Sequence, residues 1–156
     1  MFYLLCIAIA AGIIALDQLV KALVCAHIAV GETVSFLPGV MHLTQLHNEG
    51  AAFSILVGQR WPLILLTFVF LAVVVILIAK KLLRRRSEIL SIALVTGGAI
   101  GNLIDRIAHG YVVDMFALDL FQFPVFNVAD IFVVCGGIAF CIAFLLPNRS
   151  EAHHDD

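Results

Sequence analysis

Residues 62 to 79 read "PLILLTFVFLAVVVILIA", a run without a single charge. Crossing the hydrocarbon core of a bilayer takes about 20 apolar residues in helical form, because backbone groups in lipid must satisfy one another internally. A run of this length excludes a small water-soluble domain and demands a membrane helix. The rest of the chain agrees: it is 63% hydrophobic and 13% charged, with mean hydropathy +1.11. Over 156 residues this leaves room for about four spans and little else, so a single polytopic membrane domain is expected. The spans are placed at about 2–24, 61–79, 88–107 and 128–146, joined by loops at 25–60 and 108–127.

Five basic residues, Lys80, Lys81, Arg84, Arg85 and Arg86, crowd the link between the second and third spans. The positive-inside rule puts this link, and with it both termini, in the cytoplasm. The two long loops are then external; they carry Glu32, Glu49, Asp114 and Asp119 against Arg60 alone. No basic face suited to nucleic acid is present. The second span has no polar chemistry and is read as lipid-facing scaffold.

"ALVCA" at 22–26 faintly resembles a processing box. Asp17 and Lys21 interrupt the apolar core before it, early positive charge is lacking, and Val24 is large, so the first segment is expected to be a retained span. Cys6, Cys25, Cys135 and Cys141 form neither a metal spacing nor a disulfide framework and read as apolar packing residues. The terminal "HHDD" reads as a solvated tail. In the first outer loop, "ETVSFLPGVMHLTQLHNEGAAFSIL" alternates apolar and polar residues around Pro38-Gly39, a pair suited to a type II turn. A small hairpin or three-stranded cradle resting on the helix ends is expected. Asn48 and Gly50 lie in its tightest stretch, where a plain turn is the simplest account.

The polar residues inside the spans carry more information. Asp17 and Lys21 stand i,i+4 near the outer end of the first helix, in the order that favours an intrahelical pair. Ionisable groups in a span point to function by default, although the pair could also neutralise itself and brace the loop. In "GGAIGNLIDRIAHGYVVDMF", residues 97–116, Asn102, Asp105, Arg106 and His109 follow i, i+3, i+4, i+7 and share one helical face. Gly97 and Gly101 have the small-xxx-small spacing that lets another helix approach. Asp105 and Arg106, about 100° apart around the helix, should bond to different neighbours.

The fourth span opens with "FPVFNVADI". Asn127 could be its N-cap and Asp130 its N3 residue, with the carboxylate at the positive helix end. Yet Asp114, in "GYVVDMF" without a basic partner, lies on the same outer surface, so two acids can meet in an apolar pocket. Two close carboxylates cannot both ionise cheaply; they share a proton, as in an aspartic protease.

The chain resembles the lipoprotein signal peptidases, the signal peptidase II or peptidase A8 family. The resemblance is carried by "DQLVK" at 17–21, "NEGAAF" at 48–53, "GGAIGNLIDR" at 97–106, "VVDMF" at 112–116 and "FPVFNVADI" at 123–131. It implies a membrane aspartic endopeptidase of the bacterial cytoplasmic membrane, with its site at the outer face, that removes signal peptides from diacylglyceryl-modified prolipoproteins before the lipidated cysteine. By motif match Asp114 and Asp130 would be the catalytic pair, supported by Asp17, Lys21, Asn48, Gly50, Asn102, Asp105, Arg106 and Asn127. Neither metal nor cofactor is implied. The partners expected are prolipoproteins and membrane lipids, with the protein itself a monomer. A proton-coupled transporter would need its carboxylates near the bilayer midplane, whereas these fall at one end. A noncatalytic scaffold would take every polar residue as bracing.

Overall fold

The computed structural model describes residues 1–50 and 58–146. It runs α1 (Phe2–His27), β1 (Thr33–Leu37), β2 (Met41–Asn48), α2 (Arg60–Ala79), α3 (Arg86–Ala108), β3 (Val112–Leu118) and α4 (Val128–Leu145). Residues 51–53 of "NEGAAF" and the tail "HHDD" lie outside the described residues. The four helices are each long and apolar enough to cross a membrane, and the three strands form one antiparallel sheet in the order β1-β2-β3. This is the helical membrane fold with a small cradle that the sequence predicts.

Two helix boundaries move for local reasons. α1 continues past Val24 to His27, since neither glycine nor proline follows Val24 before Gly31. α3 begins at Arg86, before the expected Glu88, because the Glu88 carboxylate accepts the backbone N–H groups of Arg84 (2.8 Å) and Arg85 (3.1 Å) and so caps the helix start.

The helices wear apolar side chains outward. Leu65, Leu66, Phe68 and Val75 of α2 are exposed, the arrangement that hydrocarbon solvates well. Between helices, small residues do the packing. Gly97 of α3 lies against Ile13 and the Ala10 carbonyl of α1, and Gly98 lies against the Ala129 carbonyl and Val133 of α4. Gly136 of α4 returns the contact against Leu94 and Val95. α3 is therefore clasped from both sides. Gly98→Ala would drive a methyl group into the fixed Ala129 carbonyl and is expected to cost about 1–3 kcal/mol, seen as a lower unfolding midpoint. Gly137, where an added methyl group would meet nothing within 4 Å, is the control; equal midpoints for the two alanine variants would refute the close α3–α4 contact.

The sheet sits where α1 and α3 end and where α2 and α4 begin. Its β1–β2 turn is closed by Val40 N–H on the Leu37 carbonyl (2.9 Å), with Gly39 at φ 75° in the position of a type II turn that needs positive φ. Val113 and Met115 of β3 are buried against Val24 of α1 and Ile28 just after it, so the sheet borrows its core from the bundle. The β2–β3 register sets Leu46 opposite Asp114 and Asn48 opposite Val112, which delivers the end of β2 to the helix ends.

Candidate active site

The site grows from an ion cluster. Lys21 Nζ lies 2.8 Å from Asp17 Oδ2 and 2.9 Å from Asp105 Oδ2, and all three side chains are buried. The pair read from the sequence is thus a triad joining α1 to α3. Two carboxylates against one ammonium leave a surplus negative charge, and backbone and amide donors absorb it. Ala129 N–H, in the first turn of α4, donates to Asp17 Oδ1 at 2.9 Å; Val113 N–H donates to Asp105 Oδ2 at 3.1 Å. Gln18 Nε2 completes the set, donating to Asp105 Oδ1 at 2.9 Å and to the Gly101 carbonyl at 3.2 Å. Buried charge is tolerable only with such complete partnering. Gly101 makes the room, because a Cβ there would stand 2.6 Å from Asp17 Oδ2.

The cluster then fixes asparagine side chains whose two ends are otherwise interchangeable in shape. Lys21 Nζ, which can only donate, holds Asn102 Oδ1 at 3.0 Å, so Asn102 Nδ2 is turned to Asp130 Oδ1 at 2.8 Å. Asn127 Oδ1 accepts from Asp130 N–H at 2.9 Å. Its Nδ2 consequently faces Asp114 Oδ1 at 2.6 Å and Asn102 Oδ1 at 3.1 Å. Asn48 Oδ1 accepts from Gly50 N–H at 3.0 Å, which turns its Nδ2 to Asp114 Oδ2 at 2.8 Å. Every amide is oriented by a partner that has no other choice.

The capping arrangement at Asn127 and Asp130 is also present: Asn127 N–H donates to Asp130 Oδ2 at 3.2 Å. Cap and site use the same residues. One oxygen of Asp130 closes the helix start and the other faces Asn102, so the two readings of this stretch are compatible.

Asp114 and Asp130 line one cavity of about 680 Å³ together with Asn48, Asn102 and Arg106. Its walls are apolar, with Leu46, Val112, Phe126, Ile131 and Val134 among them. Cys135 also reaches the wall, beyond the plain packing role expected of it. Burial is the main cause that pushes the Asp114 carboxyl up to about 6, and the Asp130 charge acts in the same direction. Hydrogen bonds from Asn48 and Asn127, and the Lys21 charge, hold it back.

The remaining expected residues divide. Arg106 donates from Nη2 to the Gly50 carbonyl at 3.2 Å and from Nη1 to the Asn102 carbonyl at 3.5 Å, while the adjacent Asp105 serves Lys21. Gly50 therefore acts through its backbone, tying β2 to α3. His109, on the same helical stripe in sequence, is exposed and stacks on Tyr111 at 5.7 Å, which stacks on His47 at 3.9 Å; it does not join the cavity lining. Gln18 is a site residue that the sequence reading does not single out, although a polar side chain between Asp17 and Lys21 in a span is itself a signal. Among the described residues, no group of three or more His, Cys, Asp or Glu side chains is placed to hold a metal ion.

The sequence profile of Signal peptidase (SPase) II matches residues 9–146. The lipoprotein signal peptidase of Streptococcus agalactiae serotype Ia is 41% identical over 143 residues, covering 92% of this chain and 92% of that protein. The corresponding protein of Lactiplantibacillus plantarum is 40% identical over 140 residues, covering 90% of this chain and 93% of its own length. A solved structure described as a bacterial membrane enzyme, determined by the in meso method at 2.3 Å, superposes with TM-score 0.85 at 29% identity, covering 97% of this chain and 91% of that one. A profile that runs from α1 to the end of α4, and relatives this similar over nine-tenths of the chain, make this protein a member of the signal peptidase II family.

Proposed function

We propose that the protein is an aspartic endopeptidase that removes the signal peptide from lipid-modified prolipoproteins, with Asp114 and Asp130 as its catalytic pair. The observation that carries this reading is the shared cavity: two carboxyl groups in its lining, each with an oxygen held by an oriented asparagine amide, among apolar walls. The names of the relatives supply the substrate class.

The chemistry needs one proton shared by the pair. The ionised member removes a proton from a water molecule as its oxygen attacks the scissile carbonyl carbon. The protonated member gives its proton to the carbonyl oxygen, and the tetrahedral adduct breaks when the leaving nitrogen takes a proton back. Asn48, Asn102 and Asn127 fix where the remaining lone pairs point. Lys21, held by Asp17 and Asp105, fixes Asn102, and Arg106, bonded to the Gly50 carbonyl, lines the cavity. These groups are drawn from α1, α3, β3, α4 and the end of β2, which supports a single polytopic domain. A transporter finds less support, since the polar residues gather at one end of the bundle.

Purified protein should cleave a diacylglyceryl-modified prolipoprotein much faster than the same precursor without lipid, read as release of signal peptide. Equal rates would remove the lipid from recognition, and no cleavage of either would remove the function. The basic link supports a site on the external face, with both termini inside. A reporter fused after Arg85 should then read as cytoplasmic and one inserted near Gln45 as external; the reverse at both points would invert the orientation.

A further inference from the structure

We propose that the link between α2 and α3 is a binding site for the phosphate headgroup of an anionic phospholipid, formed by Lys80, Lys81 and Arg84. The link is a built structure. α2 ends in a Schellman turn, with Lys81 N–H on the Ile78 carbonyl at 3.0 Å and Leu82 N–H on the Leu77 carbonyl at 2.9 Å. Lys81 occupies the left-handed position of that turn at φ 53° and is the sole non-glycine with positive φ among the described residues. Glycine would be strain-free there. The chain instead holds a cation in the strained position, which points to a use for the side chain.

The neighbouring residues make the turn rigid. Leu83 packs against the buried cluster of Cys6, Ile89 and Ala93, and Glu88 is occupied in capping Arg84 and Arg85. Arg85 reaches across to the Ala143 carbonyl of α4, and Arg86 lies 5.5 Å over the ring of Phe2 in α1. Those two arginines tie helices together. Lys80, Lys81 and Arg84 are exposed and, among the described residues, have no ion-pair partner. Leu82, 57% exposed beside them, suits the level where acyl chains meet headgroups. Three exposed cations on a held backbone turn, with an apolar neighbour at the end of a spanning helix, match a phosphate carried on a lipid.

The test measures the unfolding midpoint of the full chain in uncharged micelles as phosphatidylglycerol replaces phosphatidylcholine. The midpoint should rise with phosphatidylglycerol, and each neutralised cation should raise the amount needed for half of the rise about fivefold. Lys81→Gly is the decisive variant, because it relieves the backbone while removing the charge. It should keep or raise the midpoint in phosphatidylcholine and still need about fivefold more phosphatidylglycerol for half of the rise. Lys80→Gln with Arg84→Gln should act in the same way, whereas Arg60→Gln, at the other end of the bundle, should not. Equal lipid sensitivity in wild type and Lys81→Gly, or an equal loss in Arg60→Gln, would overturn the proposal. Inorganic phosphate in place of the lipid separates the sources: no rise is expected, and a full rise would assign the site to free phosphate.

Discussion

Asp114→Asn and Asp130→Asn should each reduce cleavage by at least about 10²- to 10⁴-fold, the usual contribution of a positioned acid or base, while leaving a folded membrane protein. Asparagine at 130 can still accept the Asn127 N–H, so the helix cap loses about 1 kcal/mol at most. If Asp130 were only a cap, Asp130→Asn would melt earlier and keep its rate; that pairing of results would end the catalytic reading. Activity should fall on both the acid and the alkaline side if the proposed pair shares one proton. Stability carries its own pH signature. The folded Asp114 carboxyl titrates at about 6 against an ordinary 3.8, so the folded state holds this proton more tightly than the unfolded chain. Its stabilising contribution is complete below about pH 3.8 and is lost as pH rises through about 6. The midpoint of wild type should therefore decline across that window relative to Asp114→Asn, and parallel curves would show that Asp114 is not buried as described.

Lys21→Met should produce the largest loss of stability among single substitutions here, about 3–5 kcal/mol, because it leaves Asp17 and Asp105 facing each other with no cation. It should also remove the charged donor to Asn102 Oδ1, and so lower turnover in any molecules that remain folded. Adding Asp105→Asn separates these effects. The double variant has the same cluster charge as wild type and should recover much of the midpoint, yet cleavage should stay low because Asn102 Oδ1 has lost its charged donor and keeps only the Asn127 amide at 3.1 Å to hold it. Recovery of both properties would mean that Lys21 matters only for charge balance. A wild-type midpoint in Lys21→Met would dismantle the cluster altogether.

Local features of this architecture are readable in the sequence and distant ones are not. The spans follow from apolar length, the β1–β2 turn from Pro38-Gly39, and the Asp17–Lys21 pair from i,i+4 spacing. Asp105 as the third member of that cluster depends on α1 packing against α3 through Gly97 and Gly101, which spacing along one helix cannot reveal. Asn127 and Asp130 show their capping role in the sequence, but the second role of the same atoms needs the position of Asn102. His109 illustrates the converse. It repeats the helical period of Asn102 and Asp105, yet it falls at the last turn, where the chain leaves the bundle and the side chain finds Tyr111 instead. Asn48 reads as part of a tight turn and is in fact the last residue of β2, positioned by pairing with a strand far along the chain.

The bond from Ala129 N–H to Asp17 Oδ1 also sets an order of events during synthesis. A ribosome delivers α1 first, so Asp17 and Lys21 enter the membrane long before Asp105 and longer still before the start of α4. A nascent chain that has threaded only three helices has a single aspartate of the proposed pair and an ion cluster without its Ala129 N–H donor. On the proposed reading, proteolytic competence would arrive only with the last helix, which brings Asp130.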